Sequence, residues 1–402
     1  MQPDSIGPAS QIGRRKFLQQ TALLAGGAGF ALRAQENSKP ALRAAIIGST
    51  GRGDYGHGLD LVFNGVPNVE VVAVADPQPA GRAAAAKKSN APRSYADYQE
   101  MLSKERPQLV SIAPRWSDQH HAMAMAALKV GSHILVEKPF TQTLAEADEL
   151  LSVADKTGLK IAVAHQMRLA PGIVQLKRAL EAGLIGDLLQ IRSWGKQDDR
   201  AGGEDMLVLG THLFDLMRTL AGDPQWCTAQ VLHQGRDFAR SDARTVKEQI
   251  GLVGGNEIEA QFAFANGIFA TFTSRSKLRE SAAHWGIELV GSKGSVRLLM
   301  DVVPRIFVMK PSQWTDAGRS DSWTRWMDDP GLALSADEKG FGPANRRVMD
   351  DWLEAIRTNR EPACSGRAGM KAVEMVMAVY EAGLSGKRVT FPLMNRNHPL
   401  GD

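Results

Sequence analysis

Short apolar runs alternate with helix-length segments through the first half of the chain. Five runs have the continuous apolar character of buried strands, at Arg43–Ile47, Glu70–Ala75, Leu109–Ala113, His133–Val136 and Lys160–Ala164. Helical stretches separate several of them, at Tyr95–Glu105, His120–Lys129 and Leu144–Thr157. Apolar strands with helices between them are typical of a parallel sheet that is covered on both faces. The pattern therefore predicts a doubly wound α/β domain.

One of these helices has clear signals at both ends. Thr143 and Glu146 have the spacing of a capping box, whose side chains bind free backbone N–H groups at the start of a helix. Gly158 follows the last helical residue, where a left-handed backbone commonly ends a helix. We therefore expect a helix over Leu144–Thr157.

Strands with hairpin spacing dominate the second half. A first strand is predicted at Leu188–Lys196, and two hairpins follow, with turns at Asn266-Gly267 and Gly294. The hairpin strands are Glu257–Phe264 with Ile268–Ser274, and Gly286–Val290 with Ser295–Met300. One helical face that should pack on the core is marked by Val373, Val376, Met377, Tyr380 and Leu384. A second sheet is therefore expected after the α/β domain.

The first 36 residues differ in composition from everything that follows. Arg14 and Arg15 precede an Ala/Gly-rich apolar run that is too short to cross a membrane as a helix. A basic region, a short apolar region and small residues near Ala34 are typical of an export signal, and the paired arginines resemble a twin-arginine signal. We assign residues 1–36 to this signal and a linker. The expected partner is the twin-arginine machinery, the expected location is the bacterial periplasm or beyond, and no stable membrane insertion should remain after signal removal.

Charge and composition narrow the class of protein. The chain has 402 residues and a formal net charge of +4, of which residues 1–34 carry +3. The remainder is close to neutral, which gives no support to nucleic-acid binding. The length suits two or three domains, and 43% hydrophobic residues exclude a disordered chain. Cys227 and Cys364 are too few for a disulfide framework or a structural zinc site, and no histidine spacing indicates a metal, so we predict none.

A glycine-rich loop follows the first predicted strand, where nucleotide-binding α/β domains hold phosphates. Its members are Gly48, Thr50, Gly51, Arg52 and Gly53. We expect the loop to lead into a helix whose N–H groups attract a pyrophosphate. Asp76 ends the second strand 23 residues after Gly53, near the ~20 residues expected for an acid that binds the ribose of NAD. This acid favours NAD over NADP, with Arg52 keeping NADP as the less favoured alternative.

The tripeptide Glu137-Lys138-Pro139 ends another predicted strand. Further notable motifs are Ala113-Pro114, a helix opening at His120, Arg168-x-x-Pro171, Gly210–Asp215 and Gly386–Val389. Together they resemble the Gfo/Idh/MocA oxidoreductases, a family named for glucose-fructose oxidoreductase, inositol dehydrogenase and a rhizopine-catabolism protein. The resemblance implies an NAD(P)-binding Rossmann domain at 42–165, a tail at 394–402, and between them, at 166–393, a substrate and oligomerisation domain with a large, mostly antiparallel sheet.

The resemblance also implies roles for individual residues. Lys138 matches the lysine that contacts substrate and cofactor near the reacting carbon, and His212 matches a histidine used in acid–base chemistry. The expected cofactor contacts at the strand ends are Ala113, Pro114, Glu137, Lys138 and Pro139. Many members have an aspartate four residues before the histidine, and this chain has Val208 there. The usual lysine–aspartate–histidine set is therefore incomplete.

Four other side chains are candidates for the missing carboxylate or for substrate binding. Glu204 or Asp205 could supply the carboxylate, or His212 could act with the lysine alone. Asp215 lies one turn after His212 on a predicted helix, so it could orient the imidazole, bind a sugar hydroxyl, or be a surface charge. Arg168 could anchor an anionic substrate or bridge the two domains.

A stretch rich in Trp, Asp and Gly, at 311–345, has the length of a lid over the site. Trp314, Trp323 and Trp326 lie in it and would suit stacking on a sugar, core packing or a subunit contact.

These features together predict an exported, NAD-dependent oxidoreductase that acts on a CH–OH group of a sugar or sugar derivative. Export in the folded state would require the cofactor to be loaded inside the cell. Three alternatives stay open: an NAD-dependent glycosidase, an enzyme that passes hydride between two sugars, and a sugar-sensing protein without turnover. We also expect a homo-oligomer.

Overall fold

A six-stranded parallel sheet forms the first domain of the computed structural model, which describes residues 41–278, 284–300, 304–310, 323–326 and 340–401. The strands are β1 Leu42–Ile47, β2 Val69–Ala75, β3 Arg93–Tyr95, β4 Leu109–Ile112, β5 His133–Val136 and β6 Ile161–Val163. Their order is β3-β2-β1-β4-β5-β6, and the β1–β4, β2–β3, β4–β5 and β5–β6 registers are parallel. The predicted doubly wound α/β domain is confirmed.

Four helices cover this sheet. They are α1 Pro79–Ser89, α2 Tyr98–Glu105, α3 His120–Lys129 and α4 Leu144–Thr157, with 3₁₀ turns at Ser117–Gln119 and Gln166–Leu169. The capping box of α4 is present, with Thr143 and Glu146 each binding the other's backbone, and Gly158 ends the helix in the left-handed region. The helix predicted from Tyr95 begins later, because Arg93–Tyr95 pairs with β2 as an edge strand.

The connection between β1 and β2 differs from the prediction. We expected a helix after the glycine loop, but residues 48–68 form successive turns. Three of these turns close with bonds from Gly56 N to Gly53 O, Leu61 N to Gly58 O and Asn64 N to Leu61 O. Glycines at 51, 53, 56 and 58 all have positive φ, a conformation that interrupts a right-handed helix.

A ten-stranded sheet forms the second domain. Its strands are β7 Leu188–Trp194, β8 Trp226–His233, β9 Arg236–Asp237, β10 Glu257–Ala263, β11 Phe269–Arg275, β12 Gly286–Gly291, β13 Ser295–Leu299, β14 Arg305–Met309, β15 Thr324–Arg325 and β16 Val389–Thr390. The order is β15-β14-β13-β12-β7-β11-β10-β8-β16, with β9 paired to β8. The β7–β11 pair is parallel and the others are antiparallel. Both predicted hairpins, β10–β11 and β12–β13, are confirmed.

The second half of the chain also contains helices, of which the last packs against β8 and the one before it against the 3₁₀ turn at Gln166–Leu169. They are α5 Pro171–Glu181, α6 Gly203–Asp205, a π-helical turn at Met206–Gly210, α7 Thr211–Ala221, α8 Phe341–Thr358 and α9 Gly366–Ser385. The predicted apolar face of α9 is buried at Val373, Val376, Met377 and Tyr380, and Leu384 is partly buried against the same core. Burial of this face fixes α9 on the sheet, because each large apolar side chain contributes roughly 1.5–3 kcal/mol when removed from water.

Residues Arg43–Asp402 form one compact unit, so the two sheets share a cleft. Asn345 on α8 donates a hydrogen bond to the His57 carbonyl at 2.9 Å and accepts one from Gln166 at 2.8 Å. Ala162 at the end of the first sheet bridges to Ser365 before α9. Most of the predicted lid at 311–345, including Trp314, lies outside the described residues. Within the described part of the chain, no helix is long and apolar enough to cross a membrane.

Candidate active site

A cavity of about 260 Å³ opens between the two domains. The first domain contributes His57, Arg115, Lys138 and Pro139 to its wall. The second contributes polar side chains from Lys196, Arg200, His212 and Glu248, together with the Trp285 ring and the Phe341 ring. We call this cavity the cleft pocket. Two of the residues predicted as catalytic, Lys138 and His212, face it from opposite domains.

Lys138 reaches the cleft pocket from the end of β5. Its Nζ donates a hydrogen bond of 2.9 Å to the carbonyl oxygen of Val208 in the π-helical turn. Burial lowers the pKa of Lys138, although the neighbouring Glu137 carboxylate opposes this effect. Val208 therefore does contact the lysine, but through its backbone oxygen, at the place where many relatives were expected to have a carboxylate.

Glu137 holds the backbone beneath Lys138. Its side chain is fully buried and accepts hydrogen bonds from the Lys138 N–H at 2.8 Å and from His57 Nδ1 at 2.5 Å. Burial pushes the pKa of Glu137 upward, but the hydrogen bond with His57 and the nearby Lys138 outweigh it, so the pKa is lowered. Glu137 is thus an anion that orients the His57 ring and holds the backbone N–H of Lys138. His57 was missed by sequence reasoning.

His212 lies near the start of α7, between two aromatic rings. Its ring centroid is 5.4 Å from that of His165 and 6.0 Å from that of Trp285. Burial, followed by the positive charge of Lys138, lowers the pKa of His212 well below its ordinary value. Its Nδ1 atom is buried and has no hydrogen-bond partner among the described residues. The imidazole is therefore neutral near pH 7 and is able to accept a proton.

Asp215 and Arg168 form a buried ion pair and do not line the cleft pocket. Arg168 Nε donates to Asp215 Oδ2 at 3.0 Å, and Asp215 is 1% exposed. His165 Nδ1 lies 3.8 Å from Asp215 Oδ1. Burial lowers the pKa of His165 to about 4. The pair therefore sits behind His165, and His165 in turn supports the ring of His212.

Neither of the other predicted carboxylates lines the cleft pocket. Asp205 is 3% exposed and accepts hydrogen bonds from the Ser274 hydroxyl and the Lys196 N–H, each at 3.0 Å. Burial raises its pKa to about 6. Burial also raises the pKa of Glu204. Within the part of the chain that the structure describes, Glu248 is the carboxylate in the pocket wall.

The glycine loop is tied to Asp76. This carboxylate is fully buried and accepts hydrogen bonds from Thr50 Oγ1 at 2.6 Å, Thr50 N at 3.1 Å and Gln78 N at 2.8 Å. The Tyr55 ring lies over Gly48, where an added Cβ would be 2.1 Å from a ring carbon. Burial and the nearby Asp76 carboxylate raise the pKa of Tyr55. The loop, the second strand and Asp76 therefore form one unit.

The glycines of this loop permit close backbone approach, as a nucleotide requires. A Cβ on Gly53 would lie 2.5 Å from Arg115 N, whereas one on Gly51 would meet no atom within 4 Å. Gly51 lies on an open side of the loop, and its N–H donates to Asp54 Oδ1 at 2.9 Å. Arg52 turns away to an ion pair with Asp118 and lies 5.5 Å from the Trp116 ring centroid.

The residues present fit NAD. Asp76 follows β2 beside the loop and is bound by Thr50 and Gln78, and the ribose of NAD would lie at this strand end. Glycines in such a loop let the backbone lie close to the phosphates. Ala113 and Pro114 end β4 next to this loop, and the Ala113 carbonyl lies 2.5 Å from the Cβ position of Gly56. Glu137, Lys138 and Pro139 end the adjacent strand β5. The predicted cofactor residues therefore share one edge of the sheet.

Several pocket residues were not found from the sequence. Arg115 had a usable signal, because it directly follows the Ala113-Pro114 motif. Lys196 ended a predicted strand, but nothing local marked it as facing a pocket. Glu248 and Trp285 lie far along the chain from the motifs, so only folding brings them to the cleft. Among the described residues no group of three or more His, Cys, Asp or Glu side chains could hold a metal.

The fold and this site define a two-domain, nucleotide-binding oxidoreductase. Residues 42–165 match the family model described as an oxidoreductase family with an NAD-binding Rossmann fold, and residues 179–391 match the model for its C-terminal α/β domain. The chain therefore belongs to the Gfo/Idh/MocA oxidoreductase family, as the sequence motifs predicted, and its first domain is an NAD-binding domain.

Characterised relatives are distant but span most of the chain. D-apiose dehydrogenase of Paraburkholderia graminis is 24% identical over 348 residues, covering 83% of this chain and 86% of the relative. Levoglucosan dehydrogenase of Pseudarthrobacter phenanthrenivorans is 24% identical over 284 residues, covering 62% and 72%. A solved structure of levoglucosan dehydrogenase with NADH and L-sorbose superposes with a TM-score of 0.71 at 20% identity, covering 89% and 100%. At such low identity, the solved structure shows similarity of fold alone.

Proposed function

We propose that this protein is an exported NAD-dependent dehydrogenase that oxidises a CH–OH group of a sugar or sugar derivative. The observation that carries the proposal is the meeting of Lys138 and His212 in the cleft pocket, beside the edge of the sheet that holds the nucleotide loop. Relatives named as apiose and levoglucosan dehydrogenases support a carbohydrate substrate.

The side chains divide the work of oxidising an alcohol. When bound, NAD would accept the hydride from the carbon that carries the hydroxyl group. Lys138 is placed to donate a hydrogen bond to the hydroxyl oxygen and to stabilise negative charge on it. An imidazole nitrogen of His212 accepts the hydroxyl proton, because its lowered pKa keeps it neutral. The Val208 carbonyl holds the lysine at 2.9 Å in place of a carboxylate.

The wall of the cleft pocket around these groups is partly apolar. Trp285, Ile250 and Phe341 line the cleft pocket beside the polar side chains. An aromatic ring can stack on the apolar face of a sugar while charged groups bind its hydroxyls. This mixture suits a monosaccharide-sized ligand.

The proposal of export is supported by the sequence of residues 1–36. The paired arginines Arg14 and Arg15, followed by a short apolar run, support passage through the twin-arginine machinery. That route carries folded proteins, so NAD would be bound before export. Replacing both arginines with lysine should retain the protein in the cytoplasm, as measured by cell fractionation. Unchanged periplasmic recovery would argue against this route.

The test of the enzymatic proposal begins with protein purified without added cofactor. Bound or added nicotinamide should be detected by fluorescence and mass, and incubation with a sugar panel should produce NADH. Failure to bind NAD in either form would reject the proposal. Sugar cleavage without net NADH would instead identify a glycosidase. Reduction of a second sugar would identify internal hydride transfer, and tight sugar binding without turnover would identify a sensor.

A further inference from the structure

We propose that the sugar bears an anionic group, a carboxylate or a phosphate ester, which Arg115, Lys196 and Arg200 bind in the cleft pocket. This inference rests on the proposed function and specifies its substrate class. It starts from the charges in the pocket wall, where four cationic side chains face one carboxylate. A neutral sugar has no negative charge that could pair with this excess of cationic side chains.

Two of these charges have internal partners. Lys138 lies beside the Glu137 anion and donates its Nζ to the Val208 carbonyl. Arg200 Nη1 lies 3.7 Å from Glu248 Oε1, which is an ion pair but too long for a hydrogen bond. Arg200 therefore keeps donors for a ligand, and the single pocket carboxylate is already engaged.

The other two charges have no acidic partner in the described part of the chain. Arg115 Nε is buried and makes no hydrogen bond there, and no ion pair of Lys196 is present. A buried donor without a partner costs free energy, on the order of 1–3 kcal/mol and more when it is charged. A guanidinium matches the two oxygens of a carboxylate or phosphate with parallel hydrogen bonds. An anionic ligand would satisfy both groups.

The backbone holds these cations on opposite walls. Arg115 follows β4, and its N–H donates to the Gly53 carbonyl at 3.1 Å. Lys196 follows β7, and its N–H donates to the buried Asp205 carboxylate at 3.0 Å. Because the anchored backbones belong to different domains, an anion between them would be held in the cleft.

Arg115 also lies beside the glycine loop, so the same cations could instead bind the phosphates of NAD. The two explanations differ in what an Arg115 substitution weakens. If the cations serve the sugar, the ratio of anionic to neutral sugar affinity changes. If they serve the cofactor, NAD affinity changes and that ratio stays constant.

The experiment titrates the full chain, saturated with NAD, by calorimetry. The probes are D-glucose, D-glucuronate and D-glucose 6-phosphate, and the corresponding D-galactose series. We expect at least one anionic sugar to bind at least tenfold more tightly than its neutral parent. Preference for the uronate or for the phosphate ester distinguishes the two anions.

Variants test the assignment. Arg115→Gln and Lys196→Gln should each reduce the preference by at least fivefold, Arg115→Lys should restore part of it, and Lys177→Gln on the exposed face of α5 should leave it unchanged. Thermal unfolding checks that each variant is folded, and Arg115→Lys serves if Arg115→Gln is not. Equal binding of anionic and neutral sugars in both series overturns the inference. The inference is also overturned if both glutamine variants keep the preference for anionic sugars, or if they weaken only the affinity for NAD.

These outcomes are separable from failure of the dehydrogenase proposal. A preserved anion preference without NADH formation from any probe leaves the substrate class standing and counts against the dehydrogenase. NADH formation from neutral sugars, without an anion preference, supports the dehydrogenase and counts against the anionic substrate class.

Discussion

The glycine loop and the cleft pocket lie side by side but satisfy their buried polar atoms differently. In the loop, Asp76 accepts three hydrogen bonds from Thr50 and Gln78, and Arg52 pairs with Asp118. In the pocket, Arg115 Nε and His212 Nδ1 are buried without hydrogen-bond partners in the described structure. The charged side chains of the loop are thus paired within the fold, and the neutral Tyr55 hydroxyl is the buried atom that lacks a partner there, whereas the pocket leaves a cationic donor and an imidazole nitrogen without partners in the described structure.

This difference separates a scaffold from a reactive surface. Groups that bind one another contribute to the free energy of unfolding, whereas buried groups without partners reduce it and are retained for binding or catalysis. Substitutions in the loop should therefore lower stability. Substitutions in the pocket should lower turnover and leave stability largely unchanged.

The largest effect is expected for Lys138→Met. Removing the charge that stabilises the reacting oxygen should lower kcat by about 10³-fold, as for loss of a principal electrostatic group. NAD should stay bound, as measured by its fluorescence, because the loop is untouched. Lys156→Met, an exposed lysine at the end of α4, is the matched control. Full activity of Lys138→Met would remove this lysine from the chemistry.

His212→Gln should lower kcat by about 10²-fold, the smaller part of the range for general bases. Because the pKa of His212 is well below its usual value, wild-type activity should stay constant from pH 8 to about 6.5 and fall only in more acid solution. The measurement is the pH dependence of kcat/KM. His121→Gln is the control, because His121 bonds Glu149 on the neighbouring helix and does not line the cleft pocket. An acid limb centred above pH 7 would contradict the assigned proton acceptor.

Gly53→Ala tests the loop as scaffold. Its φ is +84°, and the added Cβ would lie 2.5 Å from Arg115 N, so strain and overlap should cost about 3 kcal/mol. Gly51→Ala shares a positive φ of +81° but meets no atom within 4 Å, so it should cost only about 1 kcal/mol. Urea unfolding of both variants measures the difference. Equal losses would show that Arg115 and its loop yield to the new methyl group.

His165 should make the pocket region sensitive to acid. Its folded-state pKa is about 4, below the ~6.5 of an unfolded histidine. Between these values the unfolded chain binds a proton that the folded chain excludes, so stability falls as the pH falls. From pH 6.5 to 5 this loss is about 2 kcal/mol.

His165→Gln should remove this part of the loss in the free energy of unfolding between pH 6.5 and pH 5, as measured by urea unfolding. His121→Gln should leave the loss unchanged. The raised pKa of Asp205, about 6, acts in the opposite direction, because its folded form gains the proton first on acidification. Asp205→Asn should therefore steepen the acid loss. Identical pH profiles for His165→Gln and wild type would place the titrating group elsewhere.

Local sequence predicted the elements whose signals are local. The helices at His120–Lys129 and Leu144–Thr157 have the predicted bounds, because a capping box, apolar spacing and a terminal glycine act within one segment. The edge strand at Arg93–Tyr95 and helix α1 were not predicted. The strand has no apolar run and forms through pairing with β2. The Ala-rich helix has two buried residues and hence a weak amphipathic pattern.

The candidate site shows the same division. Lys138 and His212 were identified through motifs and do meet in one cavity. Glu204, Asp205 and Asp215 lie within a few residues of His212, and Arg168 lies in a turn between the two domains, yet none of the four lines the cavity. Spacing along a helix limits which face a side chain shares, but the neighbouring element decides what that face meets. Asp215 meets Arg168.

The sequence by itself determined the two kinds of sheet, the nucleotide loop with its acid, and the family, because these depend on apolar period and on short motifs. Tertiary structure alone decided that Val208 serves Lys138 through its carbonyl, that Glu137 holds His57, and that Arg115 and Lys196 face one cavity. The reason is physical. Periodicity and turn chemistry act over a few residues, whereas burial, pKa and charge pairing depend on which distant segments exclude water together.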